Sequence, residues 1–497
     1  MIPAVTIDLS QRVARAMAYV SRWVKHSLAE RVQDPHNYGR AVDALLKGAA
    51  VSDGEVEVGV LDSLRNALLS CTDNPLAMPV AHDAIHPHDL REIVQALAEL
   101  AYTRSDAACQ RRLGVLLDTL LRLTRTDGSW HEERVAAEPA LVAAGFHDGN
   151  DANASAPPRA RGRTIMALTS LYRRSGDSRA LELADRFVRL ARSKSFTEAG
   201  ALTVHAGMHT HSITGTVHGL ADFGLLTADA ATLEHARRIF DNGLAHTCSS
   251  FGWSIENLGA ERVPGRGEIN NTGDMLQAAI CFGLAGHVGY FGTAERMLRG
   301  HVLPSQWLRG QEVLAPDDAP DYAITSFPDT ADGGWGFPTP TDRHVPDPLF
   351  PSASILDITQ GGIQCIWAAL RHATSPLGVD TRLNMFVSAD QDPDDMRVTP
   401  EQRGGRLWVR YPAWLPAGAL GIKTRSGANL ETTRIGDWAV TGPLRTAEPV
   451  RVLVPQTRHL HQEWVYWQRY QMQFAGDTIV AMSPRGSHAP MFDELAV

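Results

Sequence analysis

From Leu9 to about Arg125, apolar residues recur three and four positions apart. The segments SQRVARAMAYVSRWVKHSLAERV, RAVDALLKGAA, LDSLRNALLSC, DLREIVQALAELAYT and CQRRLGVLLDTLLRLT all carry this spacing. It puts an apolar stripe along each segment and predicts helices packed on helices. Strand-like alternation is nearly absent, and turns such as VQDPHNYG and CTDNPLAMPVAHDAIHPHD concentrate Pro, Gly, Asp and Asn. A two-helix plan then recurs from Ala96, Ala167, His218 and Cys281: an apolar helix, a short Ser/Gly/Thr/Asp turn, and a second helix rich in Leu, Ala and Arg. The starts lie about 50 to 70 residues apart, a period of helical hairpins joined by variable loops. Hairpins of this kind stack openly or close into a ring. Long polar loops between them, over Thr124 to Arg163 and Arg309 to Ser352, predict closure into an (α/α)6 toroid, because loops over a barrel mouth carry function.

ILDITQGGIQCIWAALRHA is read as the last helix of the ring. The pattern then changes period. RLNMFVSAD, GRLWVRYPAWL, GALGIKTRSGANLETTRIGDWAVTG and PVRVLVPQTRHLHQEWVYWQRYQMQFAGDTIVAMSP alternate apolar and polar residues between Gly, Pro, Asn and Asp. This predicts an antiparallel β-sandwich. The expected division is 1–376 for the helical domain and 377–497 for the β domain.

Composition narrows the class. The chain has 497 residues, 44% hydrophobic and 21% charged, which suits a globular protein with a large core. A net charge of -9 without a basic stripe argues against nucleic acid as a partner. The 5 cysteines, Cys71, Cys109, Cys248, Cys281 and Cys365, form no CxxC pair and read as buried reduced thiols. Arg12 and Arg15 interrupt the only candidate signal segment, and no apolar run reaches the roughly 18 residues of a membrane span. The expectation is therefore a cytoplasmic protein without a membrane partner, and the β domain offers a surface for a homodimer.

Candidate chemistry gathers between Thr203 and Cys281: His205, His209, His211 and His218, then Glu256, Glu261 and Glu268, then Asn270, Asn271 and Asp274. Polar groups clustered beside apolar helix faces suggest a pocket. Glycoside cleavage needs two carboxyl groups, and Glu256, Glu261, Glu268 and Asp357 are the candidates. Glu268 stands just before an apolar helix, where backbone donors favour the ionised form, so it reads as base, nucleophile, sugar anchor or plain helix cap. Asp357, also at a helix start, is its partner or a cap. His209 and His211 either share a metal or donate to substrate hydroxyls. Arg163 either pairs with a uronic carboxylate or makes a surface ion pair. Trp130 and Trp335, each after an Asp-Gly turn, either stack on a sugar or plug a helix hairpin.

LWVRYPAWLPAG resembles the R-I-P-x-W strand of the bacterial β-L-arabinofuranosidases of glycoside hydrolase family 127, and TTRIGDWAVTGPLRTAEPVRVLVP resembles their following strands. HSITGTVHG, from His211, is similar to that family's active-site histidine helix, and GEINNTGDMLQAAICF to its Glu-Thr-Cys-Ala helix start, with Glu268 at the glutamate. The resemblance covers most of the chain after about Arg161 and implies an α/α toroid followed by a β-sandwich. In that family a glutamate and three cysteines hold zinc, one cysteine being the nucleophile. Here Asn270 replaces the first cysteine, the later Cys-Cys pair is absent around Ile355 to Thr359, and Cys365 lies on the next helix. No metal and no cofactor are therefore expected. The reading is a glycoside hydrolase acting on a small oligosaccharide or glycoside, with Glu268 and one of Glu256, Glu261 or Asp357 performing the chemistry. Substrate contacts would come from His209, His211, Asn270, Trp335, Trp130 and Arg163. The alternatives are a uronic-sugar lyase or epimerase, or a carbohydrate-binding relative that has lost catalysis.

Overall fold

The Ala- and Leu-rich segments fold as helices paired into hairpins. The computed structural model describes residues 8–495 except 83, 139–140, 142–145, 147–154, 246, 260–264, 316, 318, 347, 349–350, 392–393 and 446–447. In chain order the helices are α1 (Leu9–Ala29), α2 (Pro35–Ala49), α3 (Val58–Cys71), α4 (Leu90–Ala98), α5 (Ala107–Leu123), the short α6 (Glu132–Ala136), α7 (Ile165–Ser175), α8 (Ser178–Leu190), α9 (Thr210–Thr227), α10 (Ala230–Arg238), α11 (Ile269–Leu284), α12 (Gly289–Met297) and α13 (Leu356–His372). α2, α4, α7, α9, α11 and α13 each pack on the next, and α13 packs back on α2, so they close a ring. The other long helices lie outside it: α1 and α3 on α2, α5 on α4, α8 on α7, α10 on α9 and α12 on α11.

Burial follows from this placement. α4 is buried at every residue from Leu90 to Ala98, as a helix flanked on all sides must be, whereas α1 buries one stripe, Leu9, Val13, Ala16, Met17, Val20 and Val24 among it. Capping differs too. Asp8, Asp106, Asp177 and Asp229 cap outer helices through their side chains. The ring helices α4, α7, α9, α11 and α13 have no side-chain cap, which leaves the polar residues of their first turns for other work.

The Asp-Gly-x-Trp phrases belong to a structural repeat. Gly128, Gly200, Gly252 and Gly333 take positive φ of 85°, 91°, 98° and 87°, a conformation that L side chains avoid. Each is pressed against the next outer helix: a Cβ would lie 2.2 Å from Arg186 O, 2.4 Å from Arg238 O, 2.9 Å from Met297 Cγ or 2.4 Å from Arg15 O. The turns thus lock neighbouring hairpins together. Trp130 and Trp335 follow two of these turns and are fully buried, Trp335 donating from Nε1 to Val302 O at 2.7 Å. They are hairpin plugs, and the expectation that they stack on a sugar is corrected.

A small ladder, β1 (Val80–Ala81) with β2 (Ala84–Ile85), precedes α4. The C-terminal strands are β3 (Thr374–Leu377), β4 (Asp380–Leu383), β5 (Asp395–Val398), β6 (Leu407–Arg410), β7 (Gly421–Lys423), β8 (Thr432–Ile435), β9 (Trp438–Thr441), β10 (Val450–Leu453), β11 (Arg458–Val465), β12 (Gln468–Ala475), β13 (Thr478–Ser483) and β14 (Asp493–Glu494). The sheets β3-β4-β6-β9-β8 and β5-β10-β7 share a core of Leu383, Leu407, Val409, Val398, Ile422 and Val452. Pairing is not wholly antiparallel, since β4 and β6 run parallel. A third sheet, β11-β12-β13-β14, leaves this core and lays Tyr470, Met472, Phe474 and Met482 on Phe251, Trp253 and Ile255. The alternating buried residues of β12 find their apolar partner in the loop before α11.

Candidate active site

The first turns of the ring helices meet at one end of the ring. α2 supplies His36 and Arg40. The turn Pro87–Asp89 supplies His88 and Asp89, and α4 supplies Arg91 and Glu92. Arg163 precedes α7, His209 and His211 open α9, Glu268, Asn270 and Asp274 open α11, and Asp357 opens α13. Because these turns touch, residues more than three hundred positions apart share one polar floor.

Two carboxylates lie at its centre. One Asn270 amide group donates to Glu268 Oε1 at 2.6 Å and to Asp357 Oδ2 at 2.9 Å. Gly361 makes room for this clamp, because a Cβ there would stand 1.9 Å from Asn270 Oδ1. The two carboxyls have opposite surroundings. Burial raises the Glu268 pKa to about 8, the charges of Asp357 and Glu256 add to it, and the Asn270 hydrogen bond opposes it. Burial would also raise that of Asp357, but the Arg40 guanidinium and the His36 imidazole hold it well below the usual carboxylate range. His36 Nε2 lies 3.1 Å from Asp357 Oδ1, and its Nδ1 faces Asp89 at 3.3 Å and Glu92 at 3.5 Å. Burial opposes its charge, yet Glu92 and Asp357 raise its pKa to about 10.

The opposite wall is a row of imidazoles. His36 stacks on His88 with centroids 5.2 Å apart, His88 lies 5.6 Å from His209, and His209 lies 5.9 Å from His211. Burial and then the Arg163 charge lower the pKa of His209 to about 3, and burial followed by neighbouring arginines lowers those of His88 and His211. These three rings are therefore neutral. Arg91 donates to His211 Nε2 at 3.1 Å, which places the remaining ring proton on Nδ1, facing Glu268 Oε1 at 3.5 Å. Beneath the row, Glu92 is fully buried. Burial alone would raise its pKa, but Arg163, Arg91, His36 and Arg40 together keep it ionised.

The expectations meet this arrangement unevenly. Glu268, Asp357, Asn270, His209 and His211 come together. Glu268 was expected to be ionised by backbone donors, but no side-chain cap bond forms at α11, and burial beside two other acids favours its neutral form instead. Asp357 caps nothing at α13. Glu256 is half-buried in the preceding loop and paired with Arg266. Glu261 lies outside the described residues. Arg163 is neither a substrate ligand nor a surface residue: it is 0% exposed, bonds Glu92 Oε1 at 2.5 Å and reaches His88 Nε2. His205 is exposed outside the cluster. The sequence reading did not single out His36, Arg40, His88, Asp89, Arg91 or Glu92, although HNYGR and HDLRE set charges into otherwise apolar helix starts.

The donors do not fit a thiolate-held zinc. All five cysteines are free, and Cys365 faces Gly273 deeper in the ring. Between Glu268 and Asp357 sits an amide N–H donor and not a lone pair. Two His/carboxylate triads, His209–His211–Glu268 and His36–His88–Asp89, do place ligand atoms within 4.8 Å of one another. Arg91 and Arg163, however, occupy imidazole nitrogens of each set, and their charges oppose a cation.

No family model and no curated protein matches this chain. Solved structures do. A family 127 β-arabinofuranosidase superposes with a TM-score of 0.62 at 12% identity, over 94% of this chain and 82% of that one. The family 127 β-L-arabinofuranosidase of Geobacillus stearothermophilus T6 gives 0.59 at 11% identity, over 94% and 80%. Another glycoside hydrolase gives 0.59 at 12%, over 93% and 79%. The chain is thus a structural relative of the family 127 β-arabinofuranosidases and shares their fold.

Proposed function

We propose that the chain is a glycoside hydrolase of the retaining type, built on an (α/α)6 toroid of residues 1–376 with a β domain of residues 377–497. The observation that carries this reading is the Glu268–Asn270–Asp357 clamp. One amide nitrogen bridging both carboxyls sets them close together, as a retaining pair requires, in which the nucleophile attacks the anomeric carbon from the face opposite the leaving group that the acid protonates, while their surroundings drive the pKa values apart. Glu268 is the acid: its proton passes to the glycosidic oxygen as the bond to the anomeric carbon breaks. Asp357, ionised and 23% exposed at its side chain, attacks that carbon. In the second half Glu268, now a carboxylate, takes a proton from the water that releases the sugar. Asn270 keeps the pair in register, and His36 and Arg40 fix the attacking carboxylate. The fold shared with glycoside hydrolases supports a carbohydrate substrate.

The test is a screen of nitrophenyl glycosides, with proton NMR of the first-formed product. Retention of anomeric configuration, with kcat lowered roughly 10²-fold or more in Glu268→Gln and in Asp357→Asn, is expected. An inverted product would remove Asp357 as nucleophile, and full activity in both variants would sink the reading.

A further inference from the structure

The ring encloses a second space at the end away from the mouth. A cavity of about 660 Å³ lies there, and each ring helix lines it from its later turns: Lys47, Gln95, Arg173, Asp222, Leu284 and Arg371 come from α2, α4, α7, α9, α11 and α13 in that order. Asp274 stands between this cavity and the candidate active site. Its Oδ2 lies 3.4 Å from His211 Nε2 on the mouth side, and its Oδ1 lies 3.9 Å from Nδ1 of His218, which lines the cavity. Close packing leaves few voids of this size, and the volume is that of a small-molecule site. The cavity also holds unmet polar demand. Gln95 and His218 are only 7% and 6% exposed, yet neither side chain makes a hydrogen bond among the described residues, whereas buried polar groups are ordinarily paired. Three of the four cations on the wall are answered: Lys47 by Asp43 at 2.8 Å, Arg173 by Asp222 at 2.7 Å, and Arg174 by Glu99. Arg371, exposed at the rim, makes no ion pair among the described residues. Its neighbour His372 adds no charge, since burial and then the Arg371 guanidinium lower the imidazole pKa to about 4. Leu225, Leu226, Ile280 and Leu284 form the apolar wall beside these groups.

We propose that this far end of the ring is a second ligand site, taking a small organic carboxylate with an apolar body and a hydroxyl at its inner end. The geometry divides the work. The planar Arg371 guanidinium at the rim meets a carboxylate through two parallel N–H bonds, the leucines of α9 and α11 cover the body, and the buried Gln95 and His218 pair with the hydroxyl. The proposal does not depend on the glycoside hydrolase reading, because none of the residues given a catalytic role there lines this cavity.

Titration calorimetry of the full chain with 4-hydroxycinnamate, its neutral methyl ester and cinnamate tests this without requiring turnover. The hydroxy acid should bind roughly 10-fold or more tightly than its ester, as a charge-assisted bond implies, and more tightly than cinnamate. Arg371→Gln, at an exposed position, should bring acid and ester to the same affinity. Ser170→Trp, which fills the cavity from α7, should abolish binding, with thermal melts confirming that each variant is folded. No binding of 4-hydroxycinnamate by the unaltered chain overturns the proposal, as does an acid-over-ester preference that survives Arg371→Gln. Unchanged binding in folded Ser170→Trp puts the ligand elsewhere and overturns it too. Cinnamate binding as tightly as the hydroxy acid removes the role given to Gln95 and His218.

Discussion

Glu268 and Asp357 are chemically alike and share one Asn270 amide, yet the fold places them in opposite charge states. Arg40 and His36 hydrogen-bond Asp357 and make no hydrogen bond to Glu268 among the described residues, and that asymmetry is the basis for the proposed roles of acid and nucleophile. Activity should fall as pH rises through about 8, where Glu268 loses the proton it must deliver, and a kcat/KM profile against pH checks this. The same group links to stability. Between its ordinary value of 4.5 and about 8 the folded state holds a proton that the unfolded state has released. Stability should therefore be greatest below that window and decline as pH rises through it. Glu268→Gln should flatten this slope in urea titrations at a series of pH values. Asn270→Ala removes two hydrogen bonds to carboxyl groups, each worth about 1.5–3 kcal/mol when the acceptor is charged. It should lower kcat far more than it changes KM, since the clamp orders reacting groups and does not grip substrate.

At the scale of elements, five of the six ring helices lack a side-chain cap, α2 with Asp34 being the exception. The outer helices α1, α5, α8 and α10 spend aspartates on their own N–H groups, whereas the ring helices present histidines, arginines and acids from their N-terminal turns. α13 contributes through an absence as well: Gly361 leaves the space that Asn270 fills. Gly361→Ala should cost about 1–3 kcal/mol by overpacking and depress activity with it, because Asn270 must move. Gly289→Ala, where a Cβ would meet nothing within 4 Å, should be neutral or stabilising by up to about 1 kcal/mol. Thermal melts of the two variants provide the comparison. The turn glycines Gly128, Gly200, Gly252 and Gly333 show why the hairpins close on one another, each turn seating on the next outer helix.

Across the whole molecule, the last sheet is a support for the site. Phe251, Trp253 and Ile255 lie in the loop that carries Glu256 and leads to Glu268, and β12 covers them. Trp253 also donates from Nε1 to Pro338 O at 3.0 Å, tying two mouth loops together. Trp253→Ala should cost about 3–5 kcal/mol and lower kcat/KM through a loosened Glu256–Glu268 segment. Calorimetry with a kinetic assay would show the two losses together, and a destabilised variant with unchanged kinetics would refute the coupling.

What the sequence by itself determined is periodicity and its direct consequences: helices where apolar residues recur at three and four, strands where they alternate, and Glu268, Asp357, Asn270, His209 and His211 marked as polar groups at helix starts. These are local properties, carried by backbone geometry and side-chain spacing. Only the tertiary structure decided that Trp130 and Trp335 are plugs, that Arg163 is buried, and that the third sheet covers the loop before α11. It also brought His36, Arg40, His88, Arg91 and Glu92 from the N-terminal third onto the same floor. The charge states of Glu268 and Asp357 were illegible for the same reason. A pKa depends on which charges lie within a few ångströms, and ring closure sets that proximity between residues hundreds of positions apart.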